Sequence, residues 1–201
     1  MLRVGLTGGL ASGKSFVGHT LADLGCRLIQ ADELGHEVLL PGGEAYDEVI
    51  QEFGNEILDE GGLINRRKLG DLVFGRSELL EKLSKIVHPH VGARQKRLID
   101  AIVQEDPKAI IVVEAAILVE TGSYRKCDRL IVAVCSDEQQ MERAMKRGAY
   151  TREEVQARLS SQLPLEEKLK VADYVIDTSG TKEHTIEQVR AVYDSLRSLS
   201  G

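Results

Sequence analysis

The chain has little of what secreted or zinc-binding proteins usually show. Its 201 residues include no tryptophan and only 4% aromatic residues. The three cysteines, Cys26, Cys127 and Cys135, are odd in number and widely spaced, and none belongs to a Cys-x-x-Cys pair. Such cysteines predict neither a disulfide framework nor a zinc site. We therefore expect small buried thiols in a reducing compartment.

Long hydrophobic runs are also missing. No apolar stretch approaches the length of a membrane span, and even residues 109–119 are interrupted by Glu114. The first predicted strand begins at Leu2, which leaves no room for a charged leader and an apolar signal segment. The sequence therefore predicts a cytoplasmic protein without a membrane partner.

The chain lacks the excess of basic residues that proteins binding long nucleic acids usually have. There are 26 basic and 32 acidic residues, which gives a formal net charge of -6. A binder that relies on a broad basic face is therefore disfavoured, and we expect no nucleic-acid partner. A small anionic ligand held by a local cluster remains compatible with this charge.

A phosphate-binding motif stands near the N-terminus. Residues 8–15 read Gly-Gly-Leu-Ala-Ser-Gly-Lys-Ser, between a predicted strand over residues 2–6 and a predicted helix over residues 14–24. The glycines let backbone N–H groups point at one anion, and the helix turns its positive end toward it. Lys14 is expected to reach the β- and γ-phosphates and Ser15 to ligate Mg²⁺. A glycine-rich turn without a ligand is the alternative. We predict a nucleotide site formed by Gly8, Gly9, Ala11, Ser12, Gly13, Lys14, Ser15 and Phe16.

The remaining pattern predicts an α/β fold. Five β-branched runs, over residues 2–6, 27–32, 109–116, 129–135 and 174–176, alternate with helical patterns. This alternation predicts one domain over residues 1–201, with a five-stranded parallel sheet and helices on both faces. The connection between the second and third strands is too long for a simple crossover, so we predict an inserted helical subdomain over residues 55–106.

Within that insertion, helical spacing places five apolar residues on one stripe, namely Leu79, Leu80, Leu83, Ile86 and Val87. We interpret the stripe as core packing. Pro89 is expected to end this helix, and a second helix is predicted over residues 91–103.

A second interruption of the strand–helix alternation follows the fourth strand. A helix over residues 137–146 leads to Gly148, and Thr151 with Glu154 forms a capping box that opens another helix. Five basic residues gather there: Arg143, Lys146, Arg147, Arg152 and Arg158. Lids of phosphoryl-transfer enzymes need such a hinge and such arginines, whereas most charged runs are solvated faces. We predict a lid over residues 138–165 in which Arg143 and Arg147 face the ligand and the other three are solvated.

The phosphate motif alone does not distinguish switches, motors and small-molecule kinases. A GTPase would need an Asn-Lys-x-Asp tetrapeptide, which is absent, and residues 59–62 read as a turn rather than a switch motif. A motor usually needs a longer chain. A kinase acting on a small molecule remains, and it needs a carboxylate beside the acceptor hydroxyl.

Two acids fit this chemistry. Asp32 lies at the end of the second predicted strand and is our candidate base, with a helix N-cap as the alternative. Glu114 lies inside an apolar run, where an acid is costly without a partner. We expect it to face the Mg²⁺ site or the substrate, although a structural ion pair is a fair alternative.

As a set, these residues resemble the dephospho-coenzyme A kinase family from Val4 to about Val189. The similarity lies in residues 5–9 and 12–15, Ala31-Asp32, residues 35–38, Phe53-Gly54, residues 62–66, Leu69, Val73-Phe74, Val87-His88-Pro89, Gln140, Arg143, Arg147, Gln162, Lys168, Ala172-Asp173 and residues 175–177. The resemblance implies a P-loop kinase fold with a coenzyme A subdomain and a lid.

The implied reaction moves the γ-phosphoryl group of ATP, with Mg²⁺, to the ribose 3′-hydroxyl of dephospho-coenzyme A. The implied catalytic residues are Asp32, Lys14, Arg143 and Arg147, and the implied substrate-binding residues are Asp32, Arg66, His88 and Glu114. For His88, a helix-breaking His-Pro pair without a ligand is the alternative. The implied partner is the substrate alone, and the chain is expected to be a monomer or a small homo-oligomer.

Four positions depart from the commonest family pattern. Phe16 replaces a threonine, Gln30 an aspartate and Thr178 an asparagine, and Glu114 opens a segment where Asp-x-Pro-Leu-Leu is common. These departures affect base-contacting positions more than phosphate chemistry. Two other functions stay open, a nucleoside or nucleoside-monophosphate kinase and a non-catalytic nucleotide-binding switch.

Overall fold

A parallel sheet forms the centre of the chain. The computed structural model describes residues 1–146 and 151–200. Its strands are β1 Leu2–Gly8, β2 Arg27–Gln30, β3 Ile110–Glu114, β4 Arg129–Val134 and β5 Tyr174–Asp177. They pair in the order β2-β3-β1-β4-β5, and every pairing is parallel. The predicted five-stranded parallel α/β sheet is thus confirmed, although β2 ends two residues earlier than predicted.

The inner strands of the sheet are buried by the helices that pack on them. Alternate residues of β1, such as Val4 and Leu6, are fully buried against α1 (Lys14–Asp23) and α9 (Lys182–Ser200). All five residues of β3 are buried, as expected for an inner strand of a parallel sheet. Each buried aliphatic side chain contributes roughly 1.5–3 kcal/mol.

The strand order makes the carboxyl end of β1 the point where chain connections turn to opposite sides of the sheet. From β1 the chain first reaches β2 and β3 on one side and later β4 and β5 on the other. In open α/β sheets, ligands bind at such a switch point, beside the carboxyl ends of the strands. The segment that leaves β1 there is the glycine-rich phosphate motif.

The chain divides into two compact units. The first contains residues 1–30 and the chain from residue 101 onward, and the second contains residues 31–100. The second unit holds α2 (Ala31–Glu37), α3 (Tyr46–Phe53), α4 (Arg66–Val73) and most of α5 (Ser77–Glu105). Its bounds start earlier than the predicted 55–106, and its role as a substrate subdomain stays a prediction.

The prediction that Pro89 ends a helix was wrong. α5 runs through Pro89 as a single helix from Ser77 to Glu105. A proline inside a helix costs about 3 kcal/mol because it removes a hydrogen bond and crowds the preceding turn. Packing on both sides of Pro89 offsets this cost, since Ile86 and Val91 both contact the apolar core of the second unit.

Ion pairs hold α5 to the same unit on both sides of the proline. Lys82 pairs with Glu52, and Arg94 pairs with Glu37 and Glu44. The predicted stripe was also wrong in one member, because Leu80 is 52% exposed. Leu80 follows Leu79 directly, and neighbours in a helix do not face the same side.

The predicted lid over residues 138–165 covers α6 (Asp137–Lys146) from its second residue onward and all of α7 (Arg152–Ser160), and α8 (Leu165–Leu169) ends beyond it. The Thr151 hydroxyl accepts from the Glu154 N–H, and the Glu154 carboxylate accepts from the Thr151 N–H, so the capping box is confirmed. Arg147 and Gly148 lie outside the described residues. Among helices formed by residues 1–146 and 151–200, none has the length and apolar character needed to cross a bilayer.

Candidate active site

The glycine-rich segment between β1 and α1 has the backbone of an anion-binding loop. Ala11 and Gly13 have positive φ values of 57° and 84°, and the Ser12 N–H donates to Gly9 O over 3.1 Å. A Cβ at Gly8 would lie 2.5 Å from Ala133 O, so only glycine fits there. Lys14 and Ser15 open α1, whose N-terminal amides carry partial positive charge.

The carboxyl end of β3 brings an acid to the same place. The Ser15 hydroxyl donates a 2.7 Å hydrogen bond to Glu114 Oε1, and the Gln30 amide donates to Glu114 Oε2 over 3.1 Å. Glu114 is 3% exposed. Its carboxylate also lies over Gly18, where an added Cβ would be 3.1 Å from Oε2. These two hydrogen bonds come from uncharged groups, and the prediction that Glu114 faces the Mg²⁺ site or the substrate stays a prediction.

The segment after β4 contacts the phosphate motif directly. Gln162 Oε1 accepts from the Leu10 N–H over 3.0 Å, and the Gln140 side chain lies 2.8 Å from where a Cβ at Gly9 would be. Ala11 packs with Ala144 and Val155 in one buried cluster. Residues of the predicted lid therefore contact the loop directly.

Arg143 is held by backbone and side chain of one residue. Its Nη1 donates to Thr178 Oγ1 over 3.0 Å, and its Nη2 donates to Thr178 O over 2.7 Å. Thr178 in turn bonds the Ser12 carbonyl oxygen over 2.8 Å. Arg143 is thus tied to the loop through one residue, whereas Arg147 falls outside the described part of the chain.

Phe16 lies one residue beyond Ser15. It is half-buried, and the ring centroid lies 5.9 Å from Lys182 Nζ at the start of α9. This is a cation–π distance. The Phe16 ring therefore lies near the segment that follows β5. The predicted contact of Phe16 with nucleotide stays a prediction.

A buried lysine was not predicted as a functional residue. Lys168 is 1% exposed, and its ammonium donates to Glu120 Oε1 over 2.7 Å and to Ala116 O over 3.2 Å. The Thr7 hydroxyl donates to the same Ala116 oxygen. The pair joins α8 to the loop after β3. Only the family resemblance drew attention to Lys168 and Gln162, and neither residue received a role from it.

The other candidates lie in the second unit. Asp32 is in the first turn of α2, so it is not the N-cap that the alternative interpretation required. The pKa of His36, one turn further on, is lowered by partial burial and by the charge of Arg66, while Asp32 and Glu33 act to raise it. Asp32, His36 and Arg66 therefore share one electrostatic environment.

His88, the remaining substrate-binding candidate, lies on α5. It is exposed on α5, directly before Pro89. Because the helix continues, the helix-breaking role that served as its alternative is wrong, and substrate binding by His88 stays a prediction.

The arrangement in the first unit can bind a polyphosphate and a hard cation. Backbone N–H groups, the start of α1 and Lys14 attract phosphate oxygens. Ser15 and Glu114 place two oxygen ligands 2.7 Å apart, which are the atom types that Mg²⁺ prefers. No cluster of three or more His, Cys, Asp or Glu suited to a metal occurs among residues 1–146 and 151–200.

Comparison with known proteins places the chain in one family. The model of the dephospho-CoA kinase family matches residues 2–184. A dephospho-CoA kinase of Aquifex aeolicus is 41% identical over 196 residues, which is 98% of each chain.

Solved structures agree with this match. A Thermus thermophilus protein is 30% identical, with a TM-score of 0.81 over 100% of this chain and 98% of the other. A dephospho-CoA kinase from Campylobacter jejuni is 25% identical, with a TM-score of 0.64 over 96% of each chain. Because the family model matches residues 2–184 and a relative that is 41% identical aligns over 98% of each chain, the chain belongs to the dephospho-CoA kinase family.

Proposed function

We propose that residues 8–15 bind the triphosphate of ATP while the enzyme phosphorylates the ribose 3′-hydroxyl of dephospho-CoA to give CoA. One observation carries the donor half of this proposal. The buried carboxylate of Glu114, at the end of β3, accepts a hydrogen bond from the loop residue Ser15. A loop hydroxyl beside a strand-end acid is the arrangement with which nucleotide-binding enzymes of this fold hold their metal ion.

Mg²⁺ is the metal that fits these ligands. Magnesium is usually held by one or two protein oxygens, with phosphate oxygens and waters completing an octahedron. Ser15 and Glu114 would supply the protein ligands, and the bound ion would neutralise charge on the β- and γ-phosphates. Gln30 fixes the second oxygen of Glu114 through its amide.

The transferring phosphoryl group needs positive charge around it. The loop amides and Lys14 supply this charge on the donor side, and Arg143 and Arg147 supply it from the predicted lid over residues 138–165. Such groups stabilise a transition state in which charge spreads over the equatorial oxygens. The loop and Arg143 are linked through Thr178, which supports a shared task.

The acceptor side rests on residues of the second unit. Asp32 follows the last residue of β2 by two positions, and we assign it the role of orienting the 3′-hydroxyl and taking its proton. Arg66 and His36 share its electrostatic environment. Arg66 and His88 are assigned to substrate binding, and the helical unit to the long arm of dephospho-CoA.

A panel of acceptors tests the reaction. ATP consumption with Mg²⁺ would be measured with dephospho-CoA, AMP, UMP and uridine in turn. Turnover with dephospho-CoA far above that with the others is expected. Turnover only with a nucleoside or its monophosphate would contradict the proposal, and ATP binding without turnover on any acceptor would favour the switch.

Asp32→Asn tests the acceptor base. The variant should bind ATP like the wild type but lose most turnover, because the amide cannot take the proton. Asp47→Asn, in the first turn of α3, makes the same change at another helix start and should leave the rate unchanged. A wild-type rate in Asp32→Asn would show that Asp32 is not the base and has only a structural role in the first turn of α2.

The same proposal includes the setting of the enzyme. We assign it to the cytoplasm, as a monomer or a small homo-oligomer without a nucleic-acid or membrane partner. The reducing compartment agrees with the free thiols of Cys26, Cys127 and Cys135.

A further inference from the structure

Thr178, the first residue after β5, touches three parts of the nucleotide site. Its hydroxyl lies 2.8 Å from Ser12 O and 3.1 Å from Val134 O. Arg143 donates to the same hydroxyl over 3.0 Å and to the Thr178 carbonyl over 2.7 Å. The residue is 5% exposed. A side chain this buried and this fully bonded joins the segments that it contacts.

The hydroxyl has both directions of hydrogen bonding in use. A threonine hydroxyl has one proton to donate and two lone pairs to accept with. The short contact with Ser12 O uses the proton, and the Arg143 guanidinium, which can only donate, uses a lone pair. The backbone N–H of Thr178 donates to Val134 O over 2.8 Å, which fixes the residue to β4.

Thr178 also packs against Gly13, a loop residue with a left-handed backbone. Gly13 has a φ of 84°, and a Cβ built there would lie 2.9 Å from Thr178 Oγ1. Ser12 O and Gly13 are adjacent in the chain and belong to the turn that presents backbone amides to phosphate. The position of Thr178 therefore determines how this part of the loop can be arranged.

The guanidinium of Arg143 is oriented by the same residue. Arginine carries five N–H donors in a rigid planar fork. Two of them grip Thr178 at its hydroxyl and carbonyl, which fixes the plane of the fork next to the loop. These two hydrogen bonds also set the direction of the remaining N–H groups of the guanidinium, which the flexible arginine side chain alone would not fix.

We propose that Thr178 is a positioning residue that couples the Ser12–Gly13 turn to Arg143, so that the loop and the arginine engage the nucleotide together. The coupling rests on the proposed function, because it assumes that both partners act on ATP. In the sequence, Thr178 stood out only as a departure from the family pattern among the base-contacting positions. Thr178 itself need not touch the nucleotide.

The test compares Thr178→Val, Thr178→Ser, Arg143→Ala and the Thr178→Val/Arg143→Ala double variant. ATP affinity would be measured by titration without acceptor, and kcat and KM with dephospho-CoA. Thr185→Val is the matched control, since this buried hydroxyl donates to Thr181 O, 3.2 Å away near the start of α9.

Thr178→Val should weaken ATP binding about tenfold or more, because Ser12 O loses its donor and Arg143 Nη1 loses its acceptor, which leaves the guanidinium held only at the backbone carbonyl of residue 178. Thr178→Ser should restore most of the affinity, and Thr185→Val should equal the wild type. The double variant should lose less than the product of the two single losses, as coupled residues do. Wild-type affinity in folded Thr178→Val, or fully multiplicative losses, would overturn the proposal.

If Thr178→Val does not fold, Arg143→Lys tests the same link from the other side. Lysine keeps the charge but cannot bridge the hydroxyl and the carbonyl as a fork does. A fall of about tenfold in ATP affinity is expected, and wild-type affinity would overturn the coupling. Failure of the wild type to phosphorylate dephospho-CoA would overturn the proposed function alone, because the ATP titrations still decide the role of Thr178.

Discussion

The Ser15 hydroxyl donates to Glu114 Oε1 over 2.7 Å, although 99 positions separate the two residues in the chain. Parallel pairing of β1 and β3 creates this proximity, because Leu6 lies in register with Glu114. The phosphate loop therefore begins beside the carboxylate. The pairing of the two strands therefore places two oxygen atoms side by side, as the proposed Mg²⁺ site requires.

Glu114→Gln should lower kcat at least about 100-fold, because metal stabilisation of the transferring phosphoryl group is worth several kcal/mol. The fold should survive, since glutamine has nearly the same shape. The variant would be assayed over a range of Mg²⁺ concentrations, and ATP binding without Mg²⁺ should be little changed. Glu105→Gln alters an acid whose side chain is 70% exposed and serves as the control. Equal kcat in both variants would remove Glu114 from the metal site.

Gly13→Ala should weaken ATP binding and destabilise the protein by about 1–3 kcal/mol. The residue has a φ of 84°, and the new methyl group would press on Thr178 at 2.9 Å. Gly92→Ala is the contrasting variant, since Gly92 lies inside α5 with nothing within 4 Å of an added Cβ. It should stabilise by roughly 0.5–1 kcal/mol. Urea denaturation and ATP titration measure both effects, and two variants of similar stability would contradict the strain argument.

Glu120→Gln should destabilise the protein by about 2–3 kcal/mol. The change leaves the buried ammonium of Lys168 without its counter-charge 2.7 Å away. The figure lies below that for a fully buried pair because Glu120 is itself 20% exposed. Glu81→Gln breaks the exposed Lys85–Glu81 pair and should leave the urea midpoint unchanged. Equal midpoints for the two variants would show that the buried pair does not stabilise the fold.

Stability should fall above about pH 9 through the buried thiol of Cys26. Burial raises the pKa of Cys26 from 9.0 to about 12. The thiol ionises first in the unfolded chain, so its stabilising effect is complete below pH 9 and is lost as the pH rises toward 12. At pH 10 this amounts to roughly 1 kcal/mol.

Comparison with Cys26→Ala isolates this effect from other groups that titrate in the same range. Urea denaturation of both proteins at pH 8 and pH 10 gives the difference in free energy of unfolding. The wild type should lose more stability over this interval than the variant. Parallel losses would show that the thiol ionises equally in the folded and unfolded chains.

Local patterns predicted much of the fold. The strands were recognisable from β-branched runs, and the capping box at Thr151 from two residues three positions apart. The phosphate loop was recognisable because its glycines and its Lys-Ser pair act through local backbone geometry. These features depend on neighbours in the chain, which a sequence displays directly.

Long-range packing explains what was missed. Helix α5 survives Pro89 because residues before and after it contact one core, and that support is invisible in the local pattern. The Arg143–Thr178 contact joins residues 35 positions apart, and the Lys168–Glu120 pair joins residues 48 positions apart. Sequence reasoning named Arg143 but could not supply the residue that orients it.

The central claim is that this enzyme transfers a phosphoryl group to one hydroxyl of dephospho-CoA. Phosphorus-31 NMR of the product, formed from ATP, Mg²⁺ and dephospho-CoA, tests this most directly. The account predicts a new phosphomonoester on the ribose 3′-oxygen, with ADP in equal amount. A phosphate at any other position, or ADP formed without a phosphorylated acceptor, would contradict it.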